Sequence, residues 1–289
     1  MTIATILAVL EGTDTSDSAL SAALSLGKRF SARVDVLHVE PDAAAAVPIV
    51  GEGMSGAAVE QILASLQEQA AARSKAAREL FDSRAAQAKL TVVKPDAAIA
   101  PGKHEVSYRH VVGREDEMIV RYGRLVDVIV TARPEDGGDA ETSVAFDAAL
   151  FDSGRPVLLT PSEPVSSIGE TVAVAWNRSR ESARAISGAM PILRKAQKVI
   201  ILTGREDDDG PEPSELAHYL AGHGIEAKNW AFTPGPGSIG DSLLAEAQKA
   251  GADLLVMGAY GHSRLRELVL GGATRGVLSR GAIPVLLVH

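Results

Sequence analysis

The chain has 289 residues and a formal net charge of −8; 46% of its residues are hydrophobic, 23% are charged and only 4% are aromatic. It is long and apolar enough for one or two packed domains, and its negative charge argues against a broad electrostatic footprint for nucleic acid or anionic lipid. There is no cysteine, which excludes disulfides, thiolate zinc sites, iron–sulfur clusters and cysteine nucleophiles.

The first residues predict a strand. Residues 1–7 have no basic region before their apolar stretch, and no apolar run in the chain approaches the ~20 residues that a membrane span requires. We therefore expect a cytoplasmic protein without a signal peptide or membrane contact. Apolar positions at helical spacing predict a helix over 16–30, followed by a strand over 34–39. A long helix is predicted over 59–89.

The same order of elements returns in the second half of the chain. A strand is predicted over 171–176, a helix over 180–193 and a strand over 198–203. The ends of the halves match more closely. Residues 126–130 parallel residues 252–256, and residues 155–159 parallel residues 283–287. A duplicated unit of roughly 140 residues is the simplest account of this repetition.

Strands that alternate with helices predict parallel pairing through right-handed crossovers. We therefore expect an α/β protein with two tandem doubly wound domains, residues 1–163 and 168–289. The boundary falls where prolines, serines and a glycine interrupt both periodicities. The last strand of each half, ending at Thr160 and His289, could pair between the halves or between two chains.

A glycine-spaced loop follows the predicted strand that ends at Met257. Its glycines stand at 258, 261, 271 and 272, and a short helix is predicted from about Ala273. Free backbone N–H groups at a helix N-terminus favour an anion, and open parallel sheets bind ligands at the carboxyl ends of their strands. The alternative is that the glycines only form tight turns. Two arginines within the loop, Arg264 and Arg266, favour phosphate binding.

The spacing of Gly258, Gly261 and Gly271 resembles the nucleotide-binding signature of the universal stress protein family. Residues 252–289 resemble that family throughout, and residues 1–161 follow the same strand–helix plan. The resemblance implies a Rossmann-like, five-stranded parallel sheet in each domain, related to the adenine nucleotide alpha hydrolase fold. It also implies binding of ATP, AMP or another adenine nucleotide, with a regulatory role in the stress response.

The resemblance also implies which residues touch the nucleotide. The phosphates would be bound by Gly258, Gly261, Gly271, Gly272, Ala273 and Thr274. His262 and Ser263 lie inside this loop, and from their position alone we expect them to contact phosphate or to be exposed to solvent. The base and ribose would be bound by Ala175, Trp176, Asn177, Thr203 and Met257. Gly272 stands where the family usually has serine or threonine, which removes a hydroxyl and keeps the backbone N–H. Asn177 stands where an acidic residue is common; alternatively, it caps the following helix with Ser179.

The sequence places no general base and shows no metal-ligand spacing among its histidines. We expect binding without catalytic residues or a protein metal site, although Mg²⁺ can accompany a triphosphate. Two alternatives remain open. One is a weak ATPase or self-phosphorylating enzyme with Ser263 or Thr274 as acceptor. The other is an interaction protein with a decayed site.

The first half lacks the glycine loop. Ala132 stands in the place of Gly258, and the acidic residues Asp136 and Asp139 follow. We expect no nucleotide there, and a role as pseudo-dimer partner of the second half, with a homodimer as a further possibility. Residues 235–240 match a dinucleotide-binding fingerprint, but they follow the third strand of their unit. A strand-to-helix connection is therefore favoured for them.

Overall fold

The computed structural model describes residues 2–42, 56–133, 144–165, 167–204, 210–235, 238–259 and 282–289. Its strands are β1 (Thr5–Val9), β2 (Arg33–Glu40), β3 (Thr91–Val92), β4 (Glu105–Val112), β5 (Val128–Ala132), β6 (Val157–Thr160), β7 (Thr171–Ala175), β8 (Lys198–Gly204), β9 (Ala227–Phe232), β10 (Leu254–Gly258) and β11 (Val285–Val288). Its helices are α1 (Ser16–Phe30), α2 (Gly56–Gln87), α3 (Glu115–Gly123), α4 (Val144–Asp147, continued by a π-helical turn over Ala148–Asp152), α5 (Arg180–Lys195), α6 (Pro213–Gly222) and α7 (Ile239–Lys249). None of these helices combines the length and apolarity that crossing a bilayer requires.

The described strands form one sheet in the order β3-β4-β2-β1-β5-β6-β11-β10-β7-β8-β9. The strands β4-β2-β1-β5-β6 repeat the order of β9-β8-β7-β10-β11, and pairing within each set is parallel. The predicted α/β fold with doubly wound parallel sheets is therefore confirmed. The two-residue strand β3, which extends the sheet beside β4, has no counterpart in the prediction.

The two sets of strands meet at β6 and β11, which pair antiparallel. Leu159 lies opposite Val285, and Val157 lies opposite Leu287. The sequence left open whether the last strands pair within one chain or between chains. In this structure they pair within the chain, so the eleven strands form a continuous sheet.

Helices cover both faces of the sheet. One apolar cluster joins alternate strand residues to α1, α2, α5 and α6, and the other joins the remaining strand residues to α3, α4 and α7. In β1, for example, Ile6 and Ala8 face the first cluster, and Leu7 and Val9 face the second. Because both faces are buried, the strands appear in the sequence as continuous apolar runs. Each large apolar side chain that is fully buried contributes ~1.5–3 kcal/mol to the free energy of folding.

An aspartate in each half fixes the start of the first strand of that half. Asp127 Oδ2 accepts hydrogen bonds from the backbone N–H groups of Ala4 at 2.7 Å and Thr5 at 3.0 Å. Asp253 accepts from the N–H groups of Gly169 and Thr171, both at 3.0 Å. The matching aspartates of the two sequence repeats therefore perform the same structural task.

Candidate functional site

The strands β7, β8 and β10 end side by side at one edge of the sheet. Ala175 pairs with Leu202 of β8, and Val174 pairs with Val256 of β10. Of the predicted nucleotide contacts, Ala175, Trp176, Asn177, Thr203, Met257 and Gly258 lie at or just beyond these strand ends. The remaining phosphate contacts, which are Gly261, His262, Ser263, Gly271, Gly272, Ala273 and Thr274, lie outside the described residues.

The sheet separates the residues predicted for the base and ribose. Ala175 and Met257 pack in the cluster that contains α7, whereas Trp176 packs in the cluster that contains α5 and α6. Thr203 shares the α5 and α6 face, because alternate strand residues point to the same side and Ile201 is in that cluster. These four side chains therefore approach a common ligand only along the edge of the sheet.

Asn177 lies at that edge, just beyond β7, with an exposed side chain. Its Oδ1 accepts hydrogen bonds from the Ser179 backbone N–H at 3.3 Å and from the Ser179 hydroxyl at 2.7 Å. Ser179 is the N-cap of α5, since its hydroxyl oxygen accepts from the Ser182 N–H at 3.1 Å. Asn177 thus supports the cap without being the cap residue. Its amide nitrogen has no hydrogen bond to a described residue and remains free to donate.

The hydroxyl of Thr203 also lacks a partner. It is buried at the carboxyl end of β8, and no described residue forms a hydrogen bond with it. Buried polar atoms are nearly always hydrogen-bonded in proteins, because the loss of water is otherwise uncompensated. The edge therefore holds two polar groups without a protein partner among the described residues.

Gly258 has a protein neighbour that the sequence interpretation did not anticipate. A Cβ at this position would lie 2.5 Å from the Glu181 carbonyl carbon and 2.6 Å from the Ser182 nitrogen. The missing side chain thus lets the first turn of α5 approach β10 closely. The prediction that Gly258 also borders phosphate remains a prediction.

The segment that leads into α6 packs over the turn after β7. The indole N–H of Trp176 donates to the Pro211 carbonyl oxygen at 3.0 Å, and Arg178 forms an ion pair with Glu212 at 2.9 Å. Trp176 is 6% exposed, so its ring is occupied by core packing and by this bond. No sequence pattern signals such a contact, because its acceptor is a backbone carbonyl.

In the first half, α2 covers the equivalent edge. A Cβ on Gly12 would lie 2.8 Å from the Cα of Arg73 and closer still to its carbonyl oxygen. Next to it, His38 Nδ1 donates to the Leu10 carbonyl at 2.7 Å, and the Ser74 hydroxyl donates to Glu40 at 2.7 Å. The Gly12 and Ser74 contacts hold the long helix against the turn after β1 and against β2. The α2 backbone thus lies directly against the turn after β1.

Ionisable groups are concentrated at this edge of the first half. Burial, with a smaller contribution from the nearby Glu11 carboxylate, raises the pKa of Glu115 to about 7. Burial also lowers the pKa of His38, whose ring stacks on that of His110 with centroids 5.6 Å apart. Over the part of the chain that the structure describes, no group of three or more His, Asp or Glu side chains could hold a metal ion.

The fingerprint-like stretch 235–240 lies between the end of β9 and the start of α7, as the sequence favoured, and its residues 236 and 237 lie outside the described residues. Ser238 is the N-cap of α7, and its hydroxyl accepts from the Asp241 N–H at 3.0 Å. The Asp241 side chain accepts in return from the Ser238 N–H at 3.4 Å. This reciprocal pair is a capping box, which begins a helix without a ligand.

Comparisons with known proteins agree with this architecture. The sequence model of the universal stress protein family matches residues 205–289. A universal stress protein of Synechocystis sp. is 46% identical over 46 residues, which span 16% of this chain and 16% of that relative's own length.

Two solved structures are similar to the whole chain. A universal stress protein from Archaeoglobus fulgidus is 19% identical and has a TM-score of 0.66, with 98% of this chain and 97% of that chain covered. A structure from Pseudomonas aeruginosa UCBPP-PA14 is 17% identical and has a TM-score of 0.54, with 99% and 93% covered. At these identities the likeness shows the fold.

Proposed function

We propose that the chain is a universal stress protein that binds an adenine nucleotide and acts as a regulatory binding protein in the stress response, since the sequence model of that family matches residues 205–289. ATP is the first candidate ligand, with AMP next. The chain would comprise two domains of this family, residues 1–163 and 168–289, of which the second carries the ligand.

The observation that carries this proposal is the pair of unpartnered polar groups at the edge of β7 and β8. The Asn177 amide nitrogen can donate to a ribose or base oxygen or nitrogen, and the buried Thr203 hydroxyl requires a partner that the described residues do not supply. Ala175 and Met257 add apolar surface on the other side of the edge. Such a surface suits a flat ring with a few polar atoms.

The phosphates would bind to the glycine loop that follows β10. Backbone N–H groups of Gly272, Ala273 and Thr274 would provide donors at a helix N-terminus, and Thr274 would add a hydroxyl. Because Gly272 replaces a hydroxyl-bearing residue, one hydrogen bond to a charged acceptor is lost, which weakens binding by ~1.5–3 kcal/mol. Mg²⁺ would then be held by the phosphates, since the described residues supply no cluster of carboxylates for it.

The first half would bind no nucleotide. The close packing of α2 on Gly12 supports this proposal, as does the absence of the glycine loop from its sequence. Its role would be to complete the continuous sheet through β6 and β11.

Titration calorimetry with ATP, AMP and cyclic AMP tests the proposal. We expect heat of binding for at least one of them and its loss in Gly261→Val, because a branched side chain would block the loop. Gly222→Val is the matched control, since a Cβ at Gly222 meets open space at the end of α6. Absence of heat with all three nucleotides would favour an interaction protein. ADP release or a labelled Ser263 or Thr274 would instead reveal an enzyme.

A further inference from the structure

The segment 210–212 is attached to the turn after β7 at three points. Trp176 Nε1 donates to the Pro211 carbonyl at 3.0 Å, and Arg178 Nη2 pairs with Glu212 Oε2 at 2.9 Å. At the third point, Gly210 approaches Arg178 so closely that a Cβ on Gly210 would lie 2.7 Å from the Cβ of Arg178. The segment is thus held by an indole, a guanidinium and a tight backbone contact.

The turn beneath this segment has an unusual conformation. Arg178 has a φ of +64°, a left-handed value that non-glycine residues adopt only when their surroundings enforce it. In the first half the corresponding residue is Gly12, for which the same backbone conformation carries no steric penalty. The second half therefore holds its turn by contacts where the first half uses a glycine.

Asn177 lies between the two anchored residues, Trp176 and Arg178. Both neighbours are fixed by residues 210–212, and its own Oδ1 is fixed by Ser179. The position of the free Asn177 amide nitrogen therefore depends on whether the segment remains attached. A group that must meet a ligand within hydrogen-bond distance loses most of its effect if it shifts by an ångström.

We propose that residues 210–212 form a clamp that positions Asn177 for the nucleotide, and that Trp176 is a positioning residue that acts through this clamp instead of touching the ligand. This inference rests on the proposed nucleotide site. Because coupling is reciprocal, a bound nucleotide holds the clamp closed to the same extent that the closed clamp favours the nucleotide.

Nucleotide affinity and dissociation rate in two clamp variants test the proposal. Trp176→Phe keeps an aromatic ring and removes the donor to Pro211, and Trp230→Phe is its control, since the Trp230 indole donates to Glu246 on α7. Glu212→Gln breaks the ion pair with Arg178 from outside the core. Glu215→Gln is its control, because it removes an equal charge from the cap of α6, while the amide oxygen of glutamine can still accept from the Glu212 N–H.

We expect Trp176→Phe and Glu212→Gln each to weaken ATP binding about fivefold, the loss that corresponds to one hydrogen bond, mainly through faster dissociation. The double variant should lose less than the product of the two factors, because both break one clamp. Removal of a negative charge alone would strengthen binding of an anion, so weaker binding in Glu212→Gln cannot be an effect of charge.

Binding that weakens in Trp176→Phe while Glu212→Gln behaves like Glu215→Gln would make Trp176 a direct contact and overturn the clamp. Unchanged affinity in both variants would overturn it as well and leave the nucleotide site intact. No binding by the unaltered protein would overturn the proposed function and the clamp together. If Trp176→Phe does not fold, the comparison of Glu212→Gln with Glu215→Gln decides alone.

Discussion

Gly12 and Arg178 occupy the same position in the two halves, three residues after the ends of β1 and β7, and both have a left-handed backbone, with φ of +73° and +64°. Each is covered by the segment that follows the next strand. In the first half the glycine is in the turn and meets the backbone of Arg73. In the second half the glycine is Gly210, in the covering segment, and it meets Arg178. Both halves thus have the same close contact, but the glycine that permits it lies in the turn of the first half and in the covering segment of the second half.

Gly12→Ala should therefore destabilise the protein strongly. The new Cβ adds left-handed strain and collides with the backbone of α2 at Arg73, which cannot move as a flexible side chain would. We expect a loss of about 3 kcal/mol in the free energy of unfolding by urea. Gly102→Ala is the control, because Gly102 has a φ of +75° and open space around its Cβ position. It should lose only about 1 kcal/mol. Equal losses in both variants would show that α2 does not press on the turn.

Gly258→Ala tests the contact between β10 and the start of α5. The added methyl would meet the Glu181 and Ser182 backbone, so α5 must shift, and we expect a loss of ~1–3 kcal/mol in unfolding free energy. Gly222→Ala, at an open position, should change stability little. The measurement is made without nucleotide, so that the result reports packing alone. Unaltered stability in Gly258→Ala would leave ligand approach as the reason for this glycine.

The sequence predicted most elements because buried strands and amphipathic helices leave periodic apolar patterns. The repeat was visible for a physical reason as well, since Asp127 and Asp253 both bind the N–H groups that begin a strand. The antiparallel pairing of β6 with β11 could not be predicted, because backbone pairing at an edge requires no particular side chain.

The sequence predicted which residues lie at the ends of β7, β8 and β10, and it did not predict how they pack. A glycine that admits a ligand and a glycine that admits a helix look alike in sequence, so the contact of Gly258 with α5 was missed. The attachment of Trp176 to Pro211 was also missed, since any residue can present a carbonyl oxygen. The predicted phosphate contacts within 260–281 lie outside the described residues and remain predictions.

Glu115 should make stability depend on pH. Its pKa of about 7 in the folded protein lies above the ordinary value of 4.5, so the folded state holds a proton that the unfolded state releases. Its contribution to stability is fully present below pH 4.5 and is lost as the pH rises through 7. Glu115→Gln should raise the unfolding free energy at pH 8 by about 1–2 kcal/mol relative to the unaltered protein.

Urea unfolding at several values between pH 5 and pH 8 checks this expectation. Glu117→Gln is the control, because Glu117 is exposed in the same first turn of α3. Its substitution removes the same favourable interaction of a carboxylate with the helix dipole. The lowered pKa of His38 changes the stability in the opposite direction, because the contribution of the neutral His38 ring to the unfolding free energy is lost as the pH falls below 6.5. A pH dependence in Glu115→Gln identical to that of the unaltered protein would contradict the assignment.

Arg29 and Lys195 connect the two halves reciprocally. Arg29 Nη2 donates to the carbonyl oxygens of Lys195 at 2.6 Å and Gly169 at 2.9 Å, while Lys195 Nζ donates to the Arg29 carbonyl at 2.8 Å and lies 4.6 Å from the centre of the Phe30 ring. Because these bonds join the ends of α1 and α5, Arg29→Ala should cost about 1–2 kcal/mol of unfolding free energy. Lys28→Ala, at an exposed neighbour, should cost little. In a double-mutant cycle with Lys195→Ala we expect a coupling of at least about 0.5 kcal/mol. Strictly additive losses would contradict this coupling and mean that the two side chains stabilise the protein independently.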